Sequence, residues 1–363
     1  MFPRSAAVPN ESVGLTAFIS APDAAMLCLP VLAMLVALAI DYFLGEPPVR
    51  FHPVVWMGNY LAWAGEQVQS LSRQTLASGD AAIESEPADL PAFALGALAW
   101  LWGMLLVGAV ACAIEQTLLA WLEPLSWTGL LLAALLLGMV LKPALAWAML
   151  RTEAQAVEQA LSGLPDGSLS RGRERLRFLV SRDVTYLSEV QVRESVIESL
   201  AENLNDSVVS PIFWFVVLGL PGALMYRFAN TADAMWGYHG IYRGRNWQWA
   251  GKWAARADDV LSWIPARITA LLLALAAAGV SLKSLYREAA STPSPNSGWP
   301  MAAMALALDC SLSKPQVYVL NAPGREPDAA DIERAIRLAG RALWIGVVSL
   351  LVLTLVGMMM VPP

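Results

Sequence analysis

The sequence predicts an all-α fold, a polytopic integral membrane helical bundle with re-entrant or Pro-broken segments in its central region. Two observations predict it. Hydrophobic residues make up 57% of the 363 positions and charged residues 15%, whereas ordinary soluble domains have about 45–50% and about 25%. Several apolar runs also approach the roughly 20 residues that a helix needs to cross a bilayer. Lipid cannot bond to open backbone groups, so such runs are expected to be helical.

Four apolar runs are predicted to cross the membrane: residues 24–40, 93–114, 125–141 and 343–361. The first 22 residues lack the basic, apolar and small-residue order of a cleaved signal, so the first run is interpreted as a retained span. The predicted organisation is an N-terminal tail at 1–23, three spans within 24–150 with a loop at 41–92, a catalytic region at 151–342 and a C-terminal span at 343–363.

Two further segments are ambiguous. Pro211 and Pro221 interrupt residues 208–226, and residues 260–282 contain Pro265 and Arg267. If only the four clear runs cross, every Lys and Arg except Arg4 lies on one side, as the positive-inside rule requires of the cytoplasmic face. We therefore prefer a cell inner-membrane protein with a cytoplasmic active region and both segments embedded without crossing; the alternative has six spans.

Composition excludes several function classes. The net charge of −6 gives no basic surface for nucleic acid. The three cysteines, Cys28, Cys112 and Cys310, and two histidines have no spacing suited to zinc, and no haem is expected. Neither a P-loop nor a Rossmann glycine motif occurs. A metal would therefore need carboxylate ligands, which favours magnesium.

The strongest functional signal is a row of carboxylates at every fourth residue. Glu194, Glu198, Glu202 and Asp206 share one stripe of a predicted helix. Like charges at this spacing repel one another. A solvated acidic face is the alternative, but the stripe leads directly into an apolar segment, where carboxylates without a role are costly. The pattern therefore favours a reaction site.

A second cluster follows that apolar segment. On a helix, Arg227 shares a face with Asn230 and Thr231, and Asn230 with Asp233. A cation, an amide and a carboxylate within two turns suit a phosphate or carboxylate with its metal. An ordinary polar network at a helix end explains the cluster equally well.

A third cluster comprises Arg256, Asp258 and Asp259, with Arg267 two turns beyond. One aspartate is placed to bind a metal while the other orients an arginine. Arg267 lies in an apolar stretch and needs a counter-ion, for which Asp259 or a neighbouring carboxylate is the candidate. A purely structural ion pair is the alternative.

Two loops add weaker signals. Ser294 and Asn296 belong to a turn before a short apolar helix; turn chemistry explains most of it, although helix amino-terminal amides also bind anions. His52 lies in a rigid polar loop after the first span. A lone histidine there is more often a hydrogen-bonded loop residue than a base.

Six motifs, taken in order, resemble the CobD/CbiB family of cobalamin biosynthesis, the adenosylcobinamide-phosphate synthases. They are DYFLGEPP…HPV…MG (41–58), SRDV (181–184), ESVIESLAENLND (194–206), YRFANTADAMWGY (226–238), AARADD…PARITA (254–270) and SPNSGWPMAAM (294–304). A related membrane family associated with β-lactamase regulation shares parts of this pattern. A transporter or sensor without synthase activity therefore stays as the alternative.

The resemblance implies an ATP-dependent ligase that joins 1-amino-2-propanol, or its phosphate, to a propionate carboxylate of adenosylcobyric acid. The implied cofactors are ATP and Mg²⁺, and the implied partners are these substrates, membrane lipid and other membrane enzymes of the late cobalamin pathway. An amide-forming site must activate the acid and deprotonate the amine.

Residue roles are assigned under this resemblance as hypotheses. The metal ligands are Asp206, Asp233 and Asp258. The phosphate clamps are Arg227 and Arg256. The base is Glu198 or Glu202. Substrate amides are oriented by Asn203, Asn230 and Asn296. Asp259 completes the catalytic set, and Arg182, Arg267, Ser294 and His52 complete the substrate- or phosphate-binding set.

Overall fold

The computed structural model describes residues 21–71, 88–122, 126–163 and 167–360. Residues 1–20 of the predicted tail, 72–87 of the predicted loop and 361–363 of the predicted last span lie outside the described residues.

The described chain is all-α apart from two short hairpins, which confirms the predicted fold class. The helices are α1 (Ala21–Leu44), α2 (Pro53–Leu71), α3 (Leu90–Leu122), α4 (Trp127–Leu141), α5 (Trp147–Ser162), α6 (Leu169–Leu176), α7 (Glu189–Leu204), α8 (Ser210–Trp236), α9 (Lys252–Leu261), α10 (Trp263–Ala277), α11 (Leu282–Ala289), α12 (Gly298–Leu308) and α13 (Ala329–Met360). The antiparallel hairpins pair β1 (Ile241–Tyr242) with β2 (Arg245–Asn246) and β3 (Leu312–Lys314) with β4 (Tyr318–Leu320).

Five helical segments in the described chain are long and apolar enough to cross a membrane: Leu27–Leu44, Leu90–Trp121, Thr128–Ser162, Glu189–Trp236 and Ala329–Met360. Four of them overlap the four predicted spans. The fifth contains residues 208–226, which were predicted to lie in the membrane without crossing it. Helices α9 and α10, bent by 48° at their junction, form a further candidate as one broken span.

The segment 208–226 is broken as its prolines predict, in two different ways. Before Pro211 the chain forms a π-helical turn at Asn205–Val209, and Pro211 then sits in the first turn of α8, where a proline is tolerated. Before Pro221 the helix is interrupted at Gly219, with φ 68° and ψ −158°. Glycine accepts this positive φ, and the Leu220 amide freed by the break donates to Glu115 Oε1 at 2.9 Å.

Helix α7 lies in the interior of the bundle. Ser188 and Gln191 form a capping box at its start, and it packs against α5, α12, α13 and strand β3. Every residue from Val192 to Ala201 is buried. Glu194 and Glu198 are 5% and 1% exposed, so the alternative of a solvated acidic face is wrong for this part of the stripe.

Close packing of α1 against α4 gives a test of the scaffold. A Cβ at Gly138 would lie 2.6 Å from Val36 Cγ1 and 2.7 Å from the backbone oxygen of Ala33. Gly138→Val should therefore push the helices apart and destabilise the fold by about 1–3 kcal/mol. The measurement is the midpoint of thermal unfolding in mild detergent. Gly357→Val is the control, because a Cβ at Gly357 meets nothing within 4 Å; equal midpoints for the two variants would contradict the packing.

Candidate active site

The buried carboxylates of α7 are held by groups from two other segments. Glu194 Oε2 accepts a hydrogen bond from Ser313 of β3 at 2.8 Å. Glu198 Oε2 pairs with Arg182 at 2.6 Å, and the Glu198 side chain is 1% exposed. The other oxygen, Oε1, is buried with no hydrogen-bond partner among the residues described. Glu198 therefore orients Arg182 and is itself fixed by it.

Glu202, one turn further along α7, faces a cavity of about 320 Å³. Two cations, Arg182 and Lys314, line the same cavity. Asn203 lines it as well, and its amide donates to the Ser199 backbone oxygen at 3.0 Å. The remaining polar lining residues are Ser181, Ser199, Thr292, Ser294, Ser297 and Tyr318. This cavity presents both signs of charge within a small volume.

A second cavity of about 800 Å³ lies on the other side of the loop 177–184. Its wall carries four arginines and several aromatic residues: Arg177, Arg182, Arg243, Arg245, Phe178, Trp236, Tyr238, Tyr242 and Trp247. The rings of Tyr238 and Tyr242 are stacked with centroids 3.6 Å apart. Since Ser181 and Arg182 line both cavities, this loop separates a small polar cavity from a large cationic and aromatic one.

Asp206 lies in the π-helical turn and joins the α7 row to residues of α8. Its Oδ1 accepts hydrogen bonds from Asn205 Nδ2 at 2.8 Å and from the Tyr226 hydroxyl at 3.4 Å. Asn205 is in turn fixed by Ser210 and Thr269, which donate to its Oδ1 at 3.2 Å and 3.0 Å. The turn therefore sets the direction of the Asp206 carboxylate.

The second and third sequence clusters come together around Asp206. Asp258 of α9 accepts from Asn230 of α8 at 3.4 Å, and its carboxylate lies close enough to repel those of Asp206 and Asp233. Within the described ranges, however, no three His, Cys, Asp or Glu side chains are placed to hold a metal ion. The residues predicted as magnesium ligands are thus neighbours but do not form a preformed metal site.

The predicted arginines have different environments. Arg227 Nη1 donates to the backbone oxygen of Asp206 and to Ser207 Oγ, both at 3.0 Å, and to Asn230 Oδ1 at 3.4 Å. These bonds hold Arg227 within the protein. Arg256 is exposed and acts electrostatically on Asp259.

Asp259 is not the direct counter-ion of Arg267, contrary to the prediction. Arg267 donates to Asn296 Oδ1 at 2.9 Å and to the Pro295 oxygen at 3.1 Å, and its guanidinium lies between the rings of Trp263 and Trp299. Asn296 Nδ2 then donates to the Asp259 backbone oxygen at 2.7 Å. The Asn296 amide therefore links Arg267 to the backbone of Asp259, and aromatic faces stabilise the cation.

A polar network from the first span adjoins this centre. Buried Lys142 lies 3.3 Å from Asp41 Oδ1 and 2.7 Å from Glu46 Oε2, and His52 Nε2 lies 3.1 Å from the same Glu46 oxygen. Burial raises the pKa of Glu46, but the hydrogen bond with His52 and the charge of Lys142 outweigh it, so the net pKa is lowered. Glu46 also acts electrostatically on Arg227. His52 is therefore a hydrogen-bonded loop residue that supports the centre indirectly.

Sequence reasoning missed three of these residues, Lys142, Lys314 and Tyr318. Burial and the nearby Glu198 carboxylate raise the pKa of the Tyr318 phenol, so it stays protonated at neutral pH. A lysine at the end of an apolar run was a usable signal for Lys142. Lys314 and Tyr318 lie in the short hairpin β3–β4, where the sequence shows no comparable signal.

Comparison with known proteins identifies relatives along almost the whole chain. The family model described as CobD/Cbib protein matches residues 34–339. A "Probable cobalamin biosynthesis protein CobD" of Methanothermobacter thermautotrophicus is 37% identical over 91% of this chain and 98% of its own length. A "Cobalamin biosynthesis protein CobD" of Chromobacterium violaceum is 38% identical over 85% of this chain and 92% of its own. No solved structure matches the chain.

The Arg182–Glu198 pair predicts an asymmetric response to substitution. Arg182→Met should destabilise the protein by roughly 3–5 kcal/mol, because it leaves a buried carboxylate unpaired. Adding Glu198→Gln should restore most of the loss. The measurement is the free energy of unfolding by denaturant titration in mild detergent. Arg245→Met is the control: it breaks the exposed pair with Glu66 and should change the free energy of unfolding by at most about 1 kcal/mol. If the double variant Arg182→Met with Glu198→Gln were no more stable than Arg182→Met alone, the pairing would be contradicted.

Proposed function

Since this chain belongs to the CobD/CbiB protein family, we propose that it is a membrane enzyme of cobalamin biosynthesis that joins 1-amino-2-propanol, or its phosphate, to adenosylcobyric acid through an amide bond. The names of its relatives support the pathway. The reaction and its substrates are our proposal. The observation that carries it is the buried row of carboxylates on α7, which meets Arg182 where a small polar cavity adjoins a large cationic one.

Amide formation requires two activations. A carboxylate is a poor electrophile, so its oxygen must be converted into a leaving group, which we propose is done by phosphoryl transfer from ATP to give an acyl phosphate and ADP. An alkylammonium has no free electron pair, so a base must remove its proton. The amine nitrogen then attacks the acyl carbon, the C–N bond forms, the C–O bond to phosphate breaks, and inorganic phosphate leaves.

Glu202 is the proposed base. Both Glu202 and Glu198 were candidates from the sequence, but Glu198 is almost fully buried and bound to Arg182, whereas Glu202 faces the small cavity. A carboxylate there is placed to hold the ammonium and accept its proton. Arg182 and Lys314 of the same cavity would bind a phosphate, either on the amine or on the activated acid.

The large cavity is the proposed site of the corrinoid. Arg177 and Arg243, the two wall arginines not paired with Glu198 or Glu66, suit a carboxylate substrate, and the aromatic walls suit a bulky ring with apolar faces. Because Arg182 lines both cavities, a propionate reaching from the large one would meet the amine held in the small one. Magnesium would accompany ATP, but the described residues form no preformed site for it, and the roles assigned to these side chains do not depend on it.

Reconstitution tests the proposed reaction. Purified protein in liposomes should convert adenosylcobyric acid, ATP, Mg²⁺ and aminopropanol phosphate into the amide, detected by mass spectrometry, with aminopropanol compared in parallel. Uptake of the corrinoid into the vesicles without any amide would instead support a transporter.

Substitution of the proposed base tests the assignment. Glu202→Gln should lower turnover at least about 100-fold at neutral pH, because a positioned general base contributes about 10²–10⁴. The loss should shrink as pH rises and free amine becomes available, which a purely structural defect would not produce. Glu174→Gln, at an exposed carboxylate of α6, is the control. Turnover of Glu202→Gln within threefold of the parent would remove Glu202 from this role.

A further inference from the structure

We propose that a groove between α1, α5 and α13 binds one anionic phospholipid. The groove has a volume of about 600 Å³ and lies apart from both cavities of the candidate active site, with which it shares no lining residue. All three helices belong to candidate membrane spans. A lipid is therefore the molecule that this surface meets at the highest concentration.

The groove changes from apolar to cationic along its length. On α1 the lining runs from Leu35 to Phe43, and on α13 it runs from Val347 back to Ile336. Each run covers about 12–17 Å of helix at 1.5 Å per residue. One end is therefore lined by aliphatic side chains and the other, apart from Ile336, by arginine and aromatic rings, which is the polarity profile of an acyl chain joined to a headgroup.

The cationic end is only partly neutralised by the protein. Arg151 stacks over the Tyr42 ring at 5.0 Å, and no carboxylate of the described chain lies within ion-pair distance of it. The only ion pair of Arg337 among described residues is a long one, 3.9 Å to Glu333, whose other oxygen accepts from Gln155. Arg193, by contrast, is paired with Glu158 at 2.9 Å. The positive charge at this end of the groove thus favours an anionic headgroup, whose phosphodiester has no compensating ammonium, over a zwitterionic one.

Aromatic residues place the cationic end at the membrane surface. Tyr42, in contact with Arg151, and Trp147, one turn before Arg151 on α5, line the groove, and tyrosine and tryptophan concentrate at the headgroup level of membranes. Gly340 keeps the groove open, since a Cβ there would meet only Trp147, at 3.5 Å. A larger side chain at this position would occupy the space proposed for the acyl chain without changing any charge.

Native mass spectrometry of the full chain in detergent tests the proposal. Titration with dioleoyl phosphatidylglycerol should give one tightly retained lipid, and dioleoyl phosphatidylcholine should be retained at least tenfold less. Arg151→Gln with Arg337→Gln should weaken retention of phosphatidylglycerol at least tenfold, and so should Gly340→Leu. Lys283→Gln with Arg287→Gln removes the same charge from exposed positions of α11 and should leave retention unchanged. Size-exclusion profiles like that of the parent show that each variant is folded.

Several results would overturn the lipid assignment. Equal retention of the two lipids would mean that charge does not select the occupant. If the α11 control lost as much retention of phosphatidylglycerol as the Arg151→Gln with Arg337→Gln variant, the effect would come from the overall charge of the protein and not from the groove. Full retention in Gly340→Leu would place the lipid outside the groove. A dimer that Gly340→Leu dissociates, without lipid retention by the parent, would make the groove a self-association surface.

Discussion

Burial of carboxyl groups inside an apolar helical bundle is the constraint on which this structure depends. A charge removed from water is tolerated only when other groups replace its hydration. Around α7 those groups come from distant parts of the chain: Arg182 from the preceding loop and Ser313 from a late hairpin. The carboxylates therefore determine which loops and hairpins must pack against the bundle.

The apolar helices provide the frame, and their irregular turns direct the polar groups. The carboxylates recur at every fourth residue, so along an uninterrupted helix from Glu189 to Trp236 their stripe would keep turning slowly around the helix axis. The π-helical turn at Asn205–Val209 shifts that rotation, and it lies where Asp206 meets residues of α8 and α9. The break at Gly219 is satisfied by Glu115 of α3, which joins the two helices away from Asp206. The deviations from regular helix are thus where the chain makes its polar contacts.

Local patterns predicted the features that depend on local sequence. Hydropathy predicted the four clear spans, and the four-residue spacing predicted the row of carboxylates on α7. Pro221 predicted the helix break beside it. Features that depend on contacts between distant residues were not predictable. Asp259 was the nearest carboxylate in sequence to Arg267, but the folded chain gives Arg267 two tryptophan rings and Asn296. Lys314 reaches the small cavity only because β3–β4 packs beside α7.

We propose that mutual repulsion of the buried Asp206, Asp233 and Asp258 carboxylates lowers stability and that these residues are kept for the reaction. The substitution Asp206→Asn separates the two effects, because Asn preserves the shape of the side chain. We would measure thermal unfolding and amide formation for Asp206→Asn side by side. We expect an unfolding midpoint equal to or above that of the parent, because a repulsion is removed, with turnover at least about tenfold lower. A lower midpoint with turnover retained would show that Asp206 is a structural residue that the reaction does not need.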